Sequence, residues 1–276
     1  KHLGYKCVTA VTGELYAEMS HPRTMDIRLG ISSKLDFKHI KEVWEGIVAA
    51  AKEHGYGQVT LDLVPSPNGL AVSVSCIGET AHLMAKRRPA AKSMDLICIS
   101  DNIGAAFMGF QVLEREKRAF EKSGDAVAQP KLDDYKNLIG AYLKPQINSR
   151  IISQLEETEI MPSYGYLVTR GLADAVRRLV RDSGLGAKIY VDKLPFAGKT
   201  FELGRELNID PISAALNGGE DYRLLFTIPI GKHEKFRHDF QTFDIIGHLA
   251  KPEVGAVAVT PDGVELPLKA QGWKNE

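Results

Sequence analysis

The densest run of residues able to do chemistry spans Asn217 to Phe226, reading Asn-Gly-Gly-Glu-Asp-Tyr-Arg-Leu-Leu-Phe. Adjacent glycines at 218 and 219 permit positive φ and bring backbone N–H groups close to a ligand. Glu220 and Asp221 follow at once, and the apolar run Leu224 to Ile228 reads as a buried strand. A bare turn with two carboxylates beside a strand suits a polar small molecule; its plain alternative is an ordinary loop. A further acid, Asp62, lies in a strand-like run just ahead of Leu63-Val64-Pro65. Acids at strand ends suit Mg²⁺, which takes one or two carboxylates with water and phosphate oxygens. Asp101-Asn102-Ile103-Gly104 resembles a phosphate loop before a helix, yet lacks the glycine spacing and lysine of a P-loop. No Ser-His-Asp grouping is readable, and the eight histidines show no metal-ligand spacing.

The elements that must carry these residues are legible in part. Residues 6–12 read as a strand, residues 14–18 as a helical turn or two ended by Pro22, and residues 26–31 as a second strand. The clearest helix is 36–54, where Phe37, Ile40, Val43, Trp44, Ile47, Val48 and Ala51 recur at spacings of three and four. Asp36 is placed to cap it and Gly55 to end it. Residues 58–63 and 70–77 are strand-like, which makes a β-β-α-β-β block. A mixed, basic stretch at 79–94 marks the expected boundary, giving domains 1–85 and 86–276. Beyond it come a strand at 95–100 and a helix from about Gly104 to Lys122. Helices follow at 132–143, 147–157, 171–183 and near 199–207. Strands are expected after Pro162, at 187–191, at 222–228 and within 243–268. Without a regular βαβ alternation, the expected class is α+β.

Bulk composition excludes several function classes. The chain has 276 residues and balanced charge, 35 basic against 35 acidic, so a nucleic-acid surface is not expected. Lys86-Arg87-Arg88 is too short a basic run to change that. Apolar runs fall short of a membrane span and no signal peptide opens the chain. Three widely spaced cysteines fit neither a disulfide framework nor a metal knuckle, which points to a reducing compartment, the cytoplasm. Cys76 and Cys98 read as small core residues.

The wording of the 217–226 loop resembles the signature of thiamine-monophosphate kinases, in the superfamily of aminoimidazole ribonucleotide synthetase. The likeness extends in order through Leu3-Gly4-Tyr5-Lys6, Leu15-Tyr16-Ala17, Ser75-Cys76-Ile77-Gly78, Gly104-Ala105-Ala106, Gly247-His248 and Gly272-Trp273. It implies a two-domain fold whose first domains pair in a homodimer, with nucleotide and substrate between the domains. The implied reaction is phosphorylation of thiamine monophosphate by ATP with Mg²⁺. By the same resemblance Glu14 and Asp62 are metal ligands, and Asp62, Arg88 and Thr169 meet nucleotide. Glu220 and Trp273 bind substrate, the indole facing a cationic thiazolium ring.

The chain departs from the pattern in places. Thr60 and Leu61 replace the glycines beside Asp62, and Leu167 and Arg170 replace both acids of an Asp-Ile-Ser-Asp-Gly-Leu motif. The family's Gly-Asp-Asp segment and a substrate-contacting histidine would lie upstream of Lys1, so an incomplete N-terminus is expected. Arg170 either stands in for a lost metal or marks a homologue that binds ligand without catalysis. Another ATP-using member of the superfamily is the third option; the Glu220 loop and Gly272-Trp273 weigh against it.

Overall fold

The computed structural model describes residues 1–81, 88–123 and 132–273. The chain forms two compact units, Lys1–Pro89 with Gln146–Met161, and Ala90–Pro145 with Pro162–Glu276. The expected cut at 85/86 falls outside the described residues, and a single cut misses the return of 146–161 to the first unit.

The first unit opens with a helix, α1 (His2–Ala17), where sequence suggested a strand at 6–12. The β-branched run there is overridden by packing. Tyr5, Val8, Thr9, Thr12 and Tyr16 are buried at helical spacing, and Thr9 and Thr12 return their hydroxyls to the carbonyls of Tyr5 and Val8. Strand β1 (Ser20–Ile31) follows, then α2 (Phe37–Glu53), β2 (Gln58–Pro65) and β3 (Ala71–Thr80). The expected β-β-α-β-β block is therefore α-β-α-β-β. The Asp36 carboxylate accepts from Lys38 N–H at 3.0 Å at the start of α2, and Gly55, at φ +72°, ends it.

The sheet order is β2-β1-β3, with β2 parallel and β3 antiparallel to β1. Met25, Ile27 and Leu29 share one apolar cluster with Tyr5 and Val8 of α1 and Ile40, Val43 and Ile47 of α2. Asp26 and Arg28 alternate to the exposed face. The two helices approach very closely: a Cβ on Gly4 would lie 2.0 Å from Val43 O, and one on Gly46 2.0 Å from Lys1 O.

The second unit holds β4 (Leu96–Ser100), α3 (Ala105–Ser123) and α4 (Lys136–Leu143). The short α5 (Ile151–Glu157) belongs to the first unit. The second unit resumes with β5 (Tyr164–Val168), α6 (Leu172–Ser183), β6 (Gly186–Tyr190), α7 (Thr200–Leu207) and α8 (Pro211–Asn217). It ends with β7 (Arg223–Ile228), α9 (His233–Asp239), β8 (Phe243–Ala250), β9 (Ala256–Val259) and β10 (Glu265–Pro267).

The seven-stranded sheet runs β10-β9-β6-β8-β4-β7-β5, antiparallel except for the β6–β9 pair. Leu172, Val176 and Leu179 of α6 pack on Ile97, Val168 and Leu225 of the sheet. This is a mixed α+β unit, as the irregular strand and helix sequence implied. Helices α8 and α9 were not anticipated; each has only seven residues, too few for a readable stripe.

Candidate functional site

Strands β5 and β7 pair antiparallel with Val168 opposite Arg223, which sets the turn after β5 beside the loop before β7. Glu220 N–H donates to Thr169 O at 2.8 Å and Tyr222 N–H to Val168 O at 2.9 Å. Glu220 and Tyr222 both sit at positive φ, +64° and +51°, a conformation that non-glycine residues hold only when the surroundings enforce it. A Cβ on Gly218 would lie 2.4 Å from Ala214 O, and one on Gly219 2.8 Å from Thr169 O. Gly171, at φ +94°, passes Leu216 so closely that its Cβ would be 2.3 Å from that carbonyl oxygen. The glycine pair thus serves chain-on-chain approach, and the N–H groups of Glu220 and Tyr222 are spent on β5. Of the N–H groups that sequence expected near a ligand in this turn, those of Gly218, Glu220 and Tyr222 are taken by backbone carbonyls.

Asp221 is fully buried and takes a role that sequence reading did not assign it. Its carboxylate accepts from Gly104 N–H at 2.8 Å and Ala106 N–H at 3.2 Å, closing the start of α3. Burial pushes its pKa up to about 6 against the pull of those two N–H bonds. The Asp101–Gly104 turn therefore has its anion already, supplied by the protein's own side chain. The available signal was an acid four residues after Asn217 with no counterpart of its own; only the fold shows what it caps.

Glu220 is half-buried, with its carboxylate oxygens 3.5 Å from the Tyr222 hydroxyl. Burial first, and then the charges of Glu220 and Glu114, raise the Tyr142 phenol pKa. The aromatic groups that sense this carboxylate are thus two tyrosines. Trp273 differs from its expected role. Its Nε1–H donates to Asp174 Oδ1 at 2.8 Å, and the guanidinium carbons of Arg177 and Arg181 lie 5.0 and 5.5 Å from its ring centroid. A cationic ring placed there would meet two positive charges already over the indole. The substrate role expected for Trp273 gives way to that of an anchor pinning the chain end to α6.

Asp174, 1% exposed, gathers the surrounding cations. Arg170 Nη2 stands 3.4 Å from Oδ1, and Arg178 Nε 3.1 Å from Oδ2, close for an ion pair though poorly aligned for a hydrogen bond. Arg170, the residue in place of an expected acid, precedes α6 and turns toward Asp174 in its first turn, with its side chain 70% exposed. Thr169 is half-buried and contributes its carbonyl to Glu220 N–H.

The remaining candidates lie in the first unit. Asp62 is exposed on β2 and pairs with Arg28 Nε at 2.9 Å, in a shallow depression of about 330 Å³ shared with Asp26, Thr60, Ser73 and Ser75. Glu14 is exposed on α1. Arg88 Nη2 lies 3.1 Å from Glu18 Oε2. Among the described residues, no group of three or more His, Cys, Asp or Glu side chains is placed to hold a metal. With Asp62 paired to a guanidinium and no group of three donors among the described residues, the described side chains of the first unit do not make a Mg²⁺ site by themselves.

Comparison with known proteins adds an independent line. No family model matches the chain. It is 24% identical to thiamine-monophosphate kinase of Aquifex aeolicus (strain VF5), over 99% of this chain and 80% of that one. The corresponding enzyme of Pyrococcus horikoshii is 26% identical over 99% and 78%. Among solved structures, AaThiL complexed with AMPPCP and TMP superposes with TM-score 0.77 at 21% identity, covering 96% of this chain and 78% of that one. Hydrogenase maturation protein HypE in complex with ATP gives TM-score 0.73 at 18% identity, covering 96% and 78%. The fold is accordingly that of the aminoimidazole ribonucleotide synthetase-like proteins. Along nearly its whole length the chain is similar, at 22–26% identity, to curated thiamine-monophosphate kinases.

Proposed function

We propose that this protein transfers the γ-phosphoryl group of ATP to the phosphate of thiamine monophosphate, giving thiamine diphosphate and ADP. The observation that carries the reading is the Glu220 loop, held at the end of β5 with its carboxylate beside Tyr222, in a chain similar along its length to kinases of that substrate. A thiazolium cation is attracted by a carboxylate and by the faces of neighbouring phenols. In the transfer a phosphate oxygen of the substrate forms a bond to the γ-phosphorus as the bond to the ADP oxygen breaks. No covalent enzyme intermediate is required, and catalysis is positioning plus charge stabilisation. By the resemblance, Asp62, Arg88 and Thr169 are the proposed nucleotide contacts and Glu220 the proposed substrate contact. Mg²⁺ is proposed only as an ion arriving with the nucleotide phosphates, and no step is assigned to it. A homodimer in the cytoplasm completes the reading, on the resemblance stated above.

The test is direct assay of thiamine diphosphate formation from ATP and thiamine monophosphate. Glu220→Gln is expected to raise the KM for thiamine monophosphate about tenfold or more, with the ATP KM unchanged. A variant that affects both substrates equally, or neither, would remove Glu220 from the substrate role. One observation favours a second reading, a ligand-binding homologue without turnover: Arg170 stands where the resemblance places an acid. Calorimetric binding of thiamine monophosphate with no thiamine diphosphate formed would establish it. A Mg²⁺-dependent gain of activity in Arg170→Asp would then mark the guanidinium as the cause.

A further inference from the structure

A hollow of about 830 Å³ lies on the second unit over strands β4, β6 and β8, lined by residues that none of the roles above uses. Leu96, Tyr190 and His248 face it, while their neighbours Ile97, Ile189 and Leu249 point to the α6 side of the sheet. The register of β8 against β4 shifts here, with Ile97 opposite Gly247 and Cys98 opposite Ile245. The extra residue, Ile246, enters the α6 core and leaves Ile245 and Gly247 as floor. A bulge in the middle of a sheet re-aims side chains and is a common companion of binding sites.

The chemistry of the lining is one-sided. Two lysines, Lys193 and Lys235, line it against a single acid, Glu234, and the Lys193 Nζ lies 5.1 Å from the Tyr190 ring centroid. The Tyr190 hydroxyl and His248 Nδ1 are 3.3 Å apart. Burial first, and then the charges of Lys188 and Lys193, lower the His248 pKa, which favours a neutral ring near pH 7. With the hydroxyl donating to Nδ1, the imidazole proton sits on Nε2 as a further donor. Met94 and Ile230 line the same hollow with large apolar side chains that are 54% and 49% exposed. The volume matches a single small molecule rather than a macromolecular face.

We propose that this hollow binds a small organic phosphate monoester, its phosphate met by Lys193, Lys235 and His248 and its apolar body resting on Met94 and Ile230. Lysines act on phosphate as mobile point charges, and the imidazole N–H supplies direction. Burying the two exposed apolar side chains under the ligand body adds to affinity.

Phenyl phosphate is a suitable probe, titrated into the full chain while the imidazole resonances of His248, assigned with His248→Gln, are followed by NMR. The expected result is a saturable shift of His248, weakened tenfold or more in the Lys193→Ala/Lys235→Ala variant. Inorganic phosphate should bind more weakly, and the KM values for ATP and thiamine monophosphate should stay at wild-type values. Absence of a His248 shift up to about 10 mM probe, weaker than any useful site, would overturn the proposal. So would an unchanged titration in the double variant, or an equal shift with benzyl alcohol. Equal affinity for inorganic phosphate would remove the apolar half of the site.

Discussion

Four acids, two in each unit, live in opposite circumstances. In the second unit Asp174 and Asp221 are buried, and each carboxylate has fixed partners: an indole N–H and two guanidinium groups for one, two helix-start N–H groups for the other. In the first unit Asp62 and Glu14 are exposed, and Asp62 shares an ion pair with Arg28 whose two side chains are 57% and 67% exposed. Burial makes an acid part of the architecture, because removing it strands its partners in a poor solvent. Exposure leaves an acid almost free of structural duty, since water screens its pair. An acid is thus best tested for function where the fold needs it least.

The sharpest break would come at Asp174. Asp174→Ala leaves Arg178, whose side chain is only 18% exposed, without its counter-charge and frees Trp273 Nε1. A loss of about 3 kcal/mol or more in urea unfolding is expected. A loss below about 1 kcal/mol would show that this corner is held by apolar packing instead.

Asp221 gives a smaller effect with a pH signature. Asp221→Ala should cost about 2 kcal/mol near pH 4 through two lost cap bonds, and less at pH 7. The folded-state pKa of about 6 lies above the unfolded value of 3.8, so the folded protein holds this proton more tightly. The stability it contributes is complete below the unfolded value and is lost as pH rises through about 6. Unfolding free energy followed from pH 4 to pH 7 should therefore decline less in Asp221→Ala than in the wild type. Identical profiles would show that Asp221 is not the group responsible.

Asp62→Ala should move stability by no more than about 0.5 kcal/mol. A rise of tenfold or more in the KM for ATP, at unchanged stability, would then assign Asp62 to the nucleotide. A stability loss equal to that of Asp221→Ala would erase the contrast between the units.

Much of the fold was legible. The 36–54 helix was readable from its stripe and its cap, and α6 from its apolar face and the terminal Gly184. The fold family was legible in the 217–226 wording. The helix at 2–17 was not, because Val8, Thr9, Val11 and Thr12 favour strands locally. Burial against α2 through Gly4 and Gly46, with two threonine hydroxyls turned back on the helix, outweighs that preference. At the candidate site, sequence singled out Glu220 and passed over Asp221, since two adjacent acids look alike until burial separates them. It also assigned Trp273 to a ligand, because the arginines over the indole lie four residues apart on a helix nearly a hundred positions away.

What the sequence determined by itself is local and periodic: helix stripes, caps, strand alternation, and a rare ordering of glycines and acids that resembles the signature of thiamine-monophosphate kinases. These depend on neighbours a few residues apart. Tertiary structure alone decided which acids are buried, which cations face the indole and where the glycines press on other backbone. Such facts depend on contacts between residues far apart in the chain, and solvent exclusion, which sets their energy, has no local signature.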